Sequence, residues 1–242
     1  MHKAFCLTLA LLLSPSLHAA VYHVDASRPD DSGDGATWAS AKKSIQAAVA
    51  LTAAGDTVLV TNGVYSAGAA VTPGNALSNR VAITNAITVR SVNGADLTVI
   101  EGSGTNHFGT ASALRCVFMS RGTLDGFTLR YGATLSQELS ESPLGHAGGG
   151  VNMGSASSPA RLLNCIIRNC RADSGGSAYG ATLEDCRVTD NQATYNGGGA
   201  YESALTRCTL SYNSAPYGGG AFNAALQACL LDANAAAMGG GS

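Results

Sequence analysis

The chain has 242 residues, of which 45% are hydrophobic and only 12% charged, with a formal net charge of −2. That balance supplies no field to attract a polyanion, which excludes nucleic acid as a partner, and the hydrophobic share excludes a disordered tail. Glycine occupies 30 positions, and at about 1 kcal/mol per helical glycine relative to alanine a long helical bundle is excluded too. A glycine-rich, mostly β chain remains.

The start reads as an address. Met1-His2-Lys3 is weakly basic, Ala4 to Leu13 is apolar, Ser14-Pro15-Ser16 breaks the run, and Ala19-Ala20 offers small residues for cleavage. This order predicts a secretory signal peptide over residues 1–20, because the run falls short of the roughly 20 apolar residues a membrane span needs. No second apolar segment of spanning length follows. The expectation is an exported chain with one domain over 21–242.

Next comes Asp30-Asp31-Ser32-Gly33-Asp34-Gly35, which resembles the first half of a calcium loop. Asp30, Ser32 and Asp34 are oxygen ligands suited to a hard cation, but the glutamate expected at the twelfth position is replaced by Ala41. The competing reading is a solvated turn, and calcium is the one cofactor suggested. From about 38 to 54, Trp38, Ala41, Ile45, Ala48, Val49 and Thr52 fall on one helical face, with Gly55 placed to end it. Short β-rich runs follow at 57–60, 87–92, 98–100 and 124–129, each bounded by Gly, Asn or Asp turns. Residues 133–146, carrying Glu138, Glu141 and His146, enlarge one unit by roughly ten residues and suit a recognition loop as well as a tolerated insertion.

From about 161 to 242 the chain repeats. Cys165, Cys186, Cys208 and Cys229 recur at spacings of 21, 22 and 21 residues. Each is preceded by Leu162, Leu183, Leu205 or Leu226, and followed by Ile167, Val188, Leu210 or Leu231. Asn191, Asn213 and Asn234 come three residues later, with Cys170 in the first unit, and glycine triplets follow at 197–199, 218–220 and 239–241. Leucine-rich repeats share this frame, but their convex side needs a helix or helical turn, and Asn196-Gly197-Gly198-Gly199-Ala200 is a poor helix former. A parallel β-helix needs only short strands and tight turns. In it Cys186 and Val188 point inward while Asp185, Arg187 and Thr189 face water. The asparagines sit where the strand turns, in the left-handed region, and their stacked amides are placed to form a ladder. The amphipathic helix caps the solenoid's open end.

The cysteines do not read as a zinc site. Coils stack about 4.8 Å apart, so four thiols in a row cannot converge on one ion. Disulfides between neighbours need Cβ atoms closer, near about 3.8 Å, leaving Cys116 and Cys170 open.

At this point the sequence resembles a family. Val24-Asp25, Trp38, Ser44-Ile45-Gln46-Ala47-Ala48, Gly55-Asp56-Thr57-Val58 and Gly63-Val64-Tyr65 look like the opening of bacterial right-handed parallel β-helix proteins of the pectin-lyase-like class. The later units are similar to repeats of polymorphic outer-membrane proteins. Gly198-Gly199-Ala200-Tyr201 and Gly219-Gly220-Ala221-Phe222 match their Gly-Gly-Ala-aliphatic element with aromatics replacing the aliphatic, and Val188-x-x-Asn191, Leu210-x-x-Asn213 and Leu231-x-x-Asn234 match their Phe-x-x-Asn with aliphatics replacing phenylalanine. The resemblance implies an all-β, right-handed parallel β-helix with a helical cap. It leaves the activity open, since the class contains lyases, hydrolases, esterases, adhesins and structural proteins. The final Gly239-Gly240-Gly241-Ser242 falls part-way through a unit, so the natural product is expected to continue.

For chemistry, lysine occurs only at 3, 42 and 43, so a lysine-base lyase finds no base on the repeats. Hydrolases of the class use clustered aspartates beside His and Arg-x-Lys elements, and no Arg-x-Lys occurs. The outward face offers Arg168, Asp185, Arg187 and Arg207 as catalytic candidates, with Asp185 and Arg207 expected to stack as an ion pair. Tyr195 and Tyr217 lie nine residues past successive cysteines and read as stacked aromatics for sugar rings, or as packing under the glycine turn. The expectation is a monomeric, secreted or cell-surface (outer-membrane) passenger for adhesion, glycan contact or scaffolding, non-catalytic. Its partner is an extracellular polysaccharide or a host or cell-surface glycan or protein. A polysaccharide lyase or glycoside hydrolase is the alternative.

Overall fold

The computed structural model describes residues 19–155 and 157–239. The expected signal peptide lies, but for its last two residues, outside the described residues, as does the end of the last glycine triplet. The chain winds through three faces in turn. The first is an eight-stranded sheet running from Val21–Val24 and Thr57–Val60 to Ala204–Thr206 and Ala225–Gln227. The second has seven strands, from Gly63–Tyr65 to Leu230–Asp232, and the third seven, from Ala70–Val71 to Ala221–Phe222. All pairings are parallel except Ala70–Val71 with Ser78–Ile83. The crossovers take the right-handed sense that parallel connections require, and the result is a right-handed parallel β-helix.

Each corner has a cause in the repeat. Between the first and second faces Asn164, Asp185, Arg207 and Ala228 take φ of 52°, 52°, 53° and 51°. The reversal turns the next residue inward, so Cys165, Cys186 and Cys208 are buried. Their thiols donate to the carbonyls of Leu163, Glu184 and Thr206 at 3.2, 3.1 and 3.3 Å. After the second face the left-handed residues are Asn169, Asp190, Tyr212 and Ala233. This corrects the sequence expectation: the turn is made one residue before the asparagines. Asn191 and Asn213 are buried instead, and the expected ladder runs through the interior. Asn191 Nδ2 donates to Asn213 Oδ1 at 2.9 Å, and Asn213 Nδ2 to Asn234 Oδ1 at 3.0 Å. Each amide oxygen also accepts a backbone N–H from the coil before.

The core is a column per repeat position. Leu162, Leu183 and Leu205 stack in register, as do Ile167, Val188 and Leu210, all at most 1% exposed. Each buried aliphatic stabilises the fold by about 1.5–3 kcal/mol.

The cap helix is shorter than the sequence predicts. It spans Ile45–Val49, with Ser44 as N-cap. The chain before it makes a turn, Ser40 N–H donating to Thr37 O, and then bridges at Lys42 to Val24, while Asp31 fixes the cap by accepting from Ser44 N and Oγ at 2.7 and 2.8 Å. Trp38 stays outside, half exposed against the His23 ring at 4.4 Å. Ile45, Ala48 and Val49 are buried in the main core. Gly55 serves the entry to Thr57–Val60 rather than the helix end, its N–H donating to Ala86 O.

Candidate functional site

The long insertion folds back over the third face and is anchored by a residue the sequence reading missed. Arg115 lies in the strand Leu114–Met119, 0% exposed. Its guanidinium donates to Gly148, Leu144 and Ala147 carbonyls at 2.8, 2.7 and 2.9 Å, and to Asn79 Oδ1 at 2.9 Å and Thr72 Oγ1 at 3.2 Å. No carboxylate pairs with it in the described residues, and burial lowers it to about 9. Asn152 reinforces the anchor by donating to Pro143 and Ala147 carbonyls at 3.1 and 3.0 Å. An arginine in a strand reads as solvent-facing in a sequence, and only the covering loop shows otherwise.

The anchored loop forms one wall of a depression of about 360 Å³ on the third face. Tyr179, Tyr195, Tyr201 and Tyr217 line it together with His146, Glu202, Gln137, Ser174 and Asn196. Tyr179, Tyr201 and Phe222 occupy one outward column in register, with ring centroids 5.6 and 6.0 Å apart. Tyr195 and Tyr217 are not stacked on each other, contrary to expectation. Tyr217 pairs with Asn196 instead, because the unit from Cys186 to Cys208 carries the extra residue. That residue enters the strand Gln192–Asn196, where the register shifts against Arg171–Ser174. Such a bulge re-aims a side chain, and Tyr195 projects 48% exposed.

The site is electrostatically uneven. His146 Nδ1 is buried without a hydrogen-bond partner. Burial pushes the His146 imidazole below its ordinary value, against the upward pull of Asp173. Asp173 is 3% exposed and accepts the Gln137 N–H, while burial pushes its carboxyl up. Burial, with the Glu202 charge, raises Tyr179 to about 12. A hydrophobic floor, several polar groups and an imidazole in the lining suit the capture of a polyhydroxylated ligand and proton transfer to or from it.

The other residues singled out from the sequence lie elsewhere. Asp185 accepts from Arg207 Nε and Nη2 at 2.8 and 2.7 Å, the expected ion pair, with both side chains half exposed. Arg168 stands in register with Arg130 on the second face, and Arg187 on the same strand set points outward two residues from Thr189. None of these four lines the tyrosine depression. Glu138 and Glu141 are exposed on the loop, outside the lining. Asp30 Oδ1 accepts Ser32 N, while Asp34 Oδ1 accepts Ala36 N and Ser40 Oγ, so each carboxylate closes its own turn. Among the described residues no three His, Cys, Asp or Glu side chains gather as a metal site. A larger depression, about 480 Å³, lies beside Arg171 and is walled mainly by small side chains such as Ala193, Ser214 and Ala235.

The sequence matches no family model and no curated protein. Solved structures do match. A rhamnogalacturonan lyase aligns at a TM-score of 0.50 and 12% identity over 89% of this chain and 63% of that one. Pectin methylesterase PemA from Erwinia chrysanthemi aligns at 0.38 and 15%, over 88% and 54%. A pectin methylesterase variant in complex with a hexasaccharide aligns at 0.37 and 17%, over 86% and 54%. The fold is a pectin-lyase-like right-handed β-helix. The chain spans less than two thirds of the length of each of these structures. Along this tyrosine shelf the column of Tyr179, Tyr201 and Phe222 runs parallel to the solenoid axis, one ring per coil. No helix among the described residues is long and apolar enough to cross a membrane.

Proposed function

We propose that the protein is exported and acts on an extracellular polysaccharide, which lies along the tyrosine shelf with His146 as the acid–base group. The observation that carries this reading is the convergence of four tyrosines and the His146 imidazole on one recess. Coils repeat at about 4.8 Å, close to the length of one pyranose unit, so the accessible Tyr201 and Phe222 rings of successive coils are spaced to meet successive sugars of a chain laid along the axis. The likeness in fold to a chain named rhamnogalacturonan lyase supports the enzyme reading over a non-catalytic adhesin. Arg168, Asp185, Arg187 and Arg207 stand outside the tyrosine depression.

The test is product release. The mature chain, with calcium present, is incubated with acidic and neutral polysaccharides while unsaturated uronates and new reducing ends are assayed. Release that disappears in His146→Ala and survives in Arg187→Ala supports the reading. A folded protein that releases nothing, or one whose release depends on Arg187, overturns it.

A further inference from the structure

We infer that the glycan held on the shelf is uncharged, and that Glu202 rejects polyuronates. This inference rests on the shelf being the glycan site. The depression is lined by no lysine or arginine, and Glu202 is its single carboxylate. The arginines around it offer a ligand no donor in the lining: Arg115 keeps its charge but its donors go to carbonyls and side chains beneath the loop, and Arg171 lies over the Phe108 ring at 4.5 Å.

His146 adds no positive charge, since burial favours its neutral form. A polyuronate laid along the axis brings one carboxylate per sugar. With sugars and coils matched in spacing, at least one carboxylate falls within a coil's width of Glu202, inside the roughly 8 Å over which charges interact at 0.15 M salt. Juxtaposed like charges suppress the wrong partner. An uncharged chain meets no such penalty. It presents C–H faces to the tyrosine rings, and hydroxyls to Glu202, Gln137 and Asn196. Glu202 sits at a corner with φ of 49°, and its carboxylate adds to burial in raising both Tyr179 and Tyr201.

The experiment is isothermal titration at physiological salt with uncharged hexasaccharides (β-glucan, β-mannan and β-xylan) and with hexagalacturonate. The best uncharged ligand is expected to bind at least about tenfold tighter than hexagalacturonate. Glu202→Gln narrows that gap, and Glu202→Lys closes or reverses it. Hexagalacturonate binding as tightly as the best uncharged ligand, or a gap unmoved by Glu202→Lys in a protein with native circular dichroism, overturns the inference. Both leave the shelf itself standing if Tyr195→Ala weakens every ligand. Absence of binding by all four ligands overturns the shelf reading and the inference with it.

Discussion

An amide turned into a protein core must find partners for two donors and an oxygen, and Asn213 finds them all. It accepts from Asn191 N and Nδ2 at 3.1 and 2.9 Å and donates to Val188 O and Asn234 Oδ1 at 2.9 and 3.0 Å. Asn213→Ala strands the Asn191 amide and its N–H, each costing about 1–3 kcal/mol when buried and unmet. A loss of roughly 3 kcal/mol in urea unfolding is the expected outcome. The ladder was legible because the asparagines keep the repeat spacing. The left-handed residue before each was not, because Asp190, Tyr212 and Ala233 share no propensity for it. Hydrogen bonds from the neighbouring coil impose that conformation, such as Asp190 N to Ser211 O.

His146 makes a pH prediction at the same scale. Its folded value lies below the ordinary 6.5, so the unfolded chain binds the proton more readily. The stability it contributes is complete above 6.5 and lost as pH falls through the folded value. Asp173, with its folded value above 3.8, works oppositely: its contribution is present below 3.8 and lost as pH rises through the folded value. Between pH 7 and 5 the denaturant midpoint of the native chain should therefore fall relative to that of His146→Phe.

Among the elements, the 133–146 insertion was visible as excess length, and Tyr195 and Tyr217 as aromatics in phase. What fixes the loop was not visible, since Arg115 acts through carbonyls that the fold alone brings over it. Arg115→Met should free the loop, and hydrogen exchange should quicken at Leu135 and Ala147, whose N–H groups donate to Gly145 O and Pro143 O. Lysine, with three donors, cannot replace a guanidinium making five contacts. By contrast the Asp185–Arg207 pair bridges two corners in open solvent, where ion pairs contribute little. Arg207→Ala should leave the melting midpoint and glycan affinity unchanged, and a clear drop in affinity would reinstate that flank.

For the whole molecule, coil stacking requires glycine where backbones touch. Gly197 takes φ of 59°, and a Cβ on Gly198 would lie 2.5 Å from Ser214 O and 2.6 Å from Gly219 O. Gly149, Gly176 and Gly219 face the same closeness in their own coils. The column therefore extends back to Gly148-Gly149-Gly150, which the insertion displaces from the cysteine phase and so hides in the sequence. Gly198→Ala should prevent the later coils from docking, seen as lost β-sheet circular dichroism.

The central claim is that a polysaccharide is held by the tyrosine shelf on the third face. The most direct test titrates the best-binding oligosaccharide into the native chain, into Tyr195→Ala with Tyr217→Ala, and into Arg187→Ala with Arg207→Ala. The account predicts that the tyrosine pair loses at least about tenfold in affinity, as truncated aromatic anchors do, while the arginine pair binds like the native chain. Undiminished binding by the tyrosine pair, with loss in the arginine pair, would contradict it.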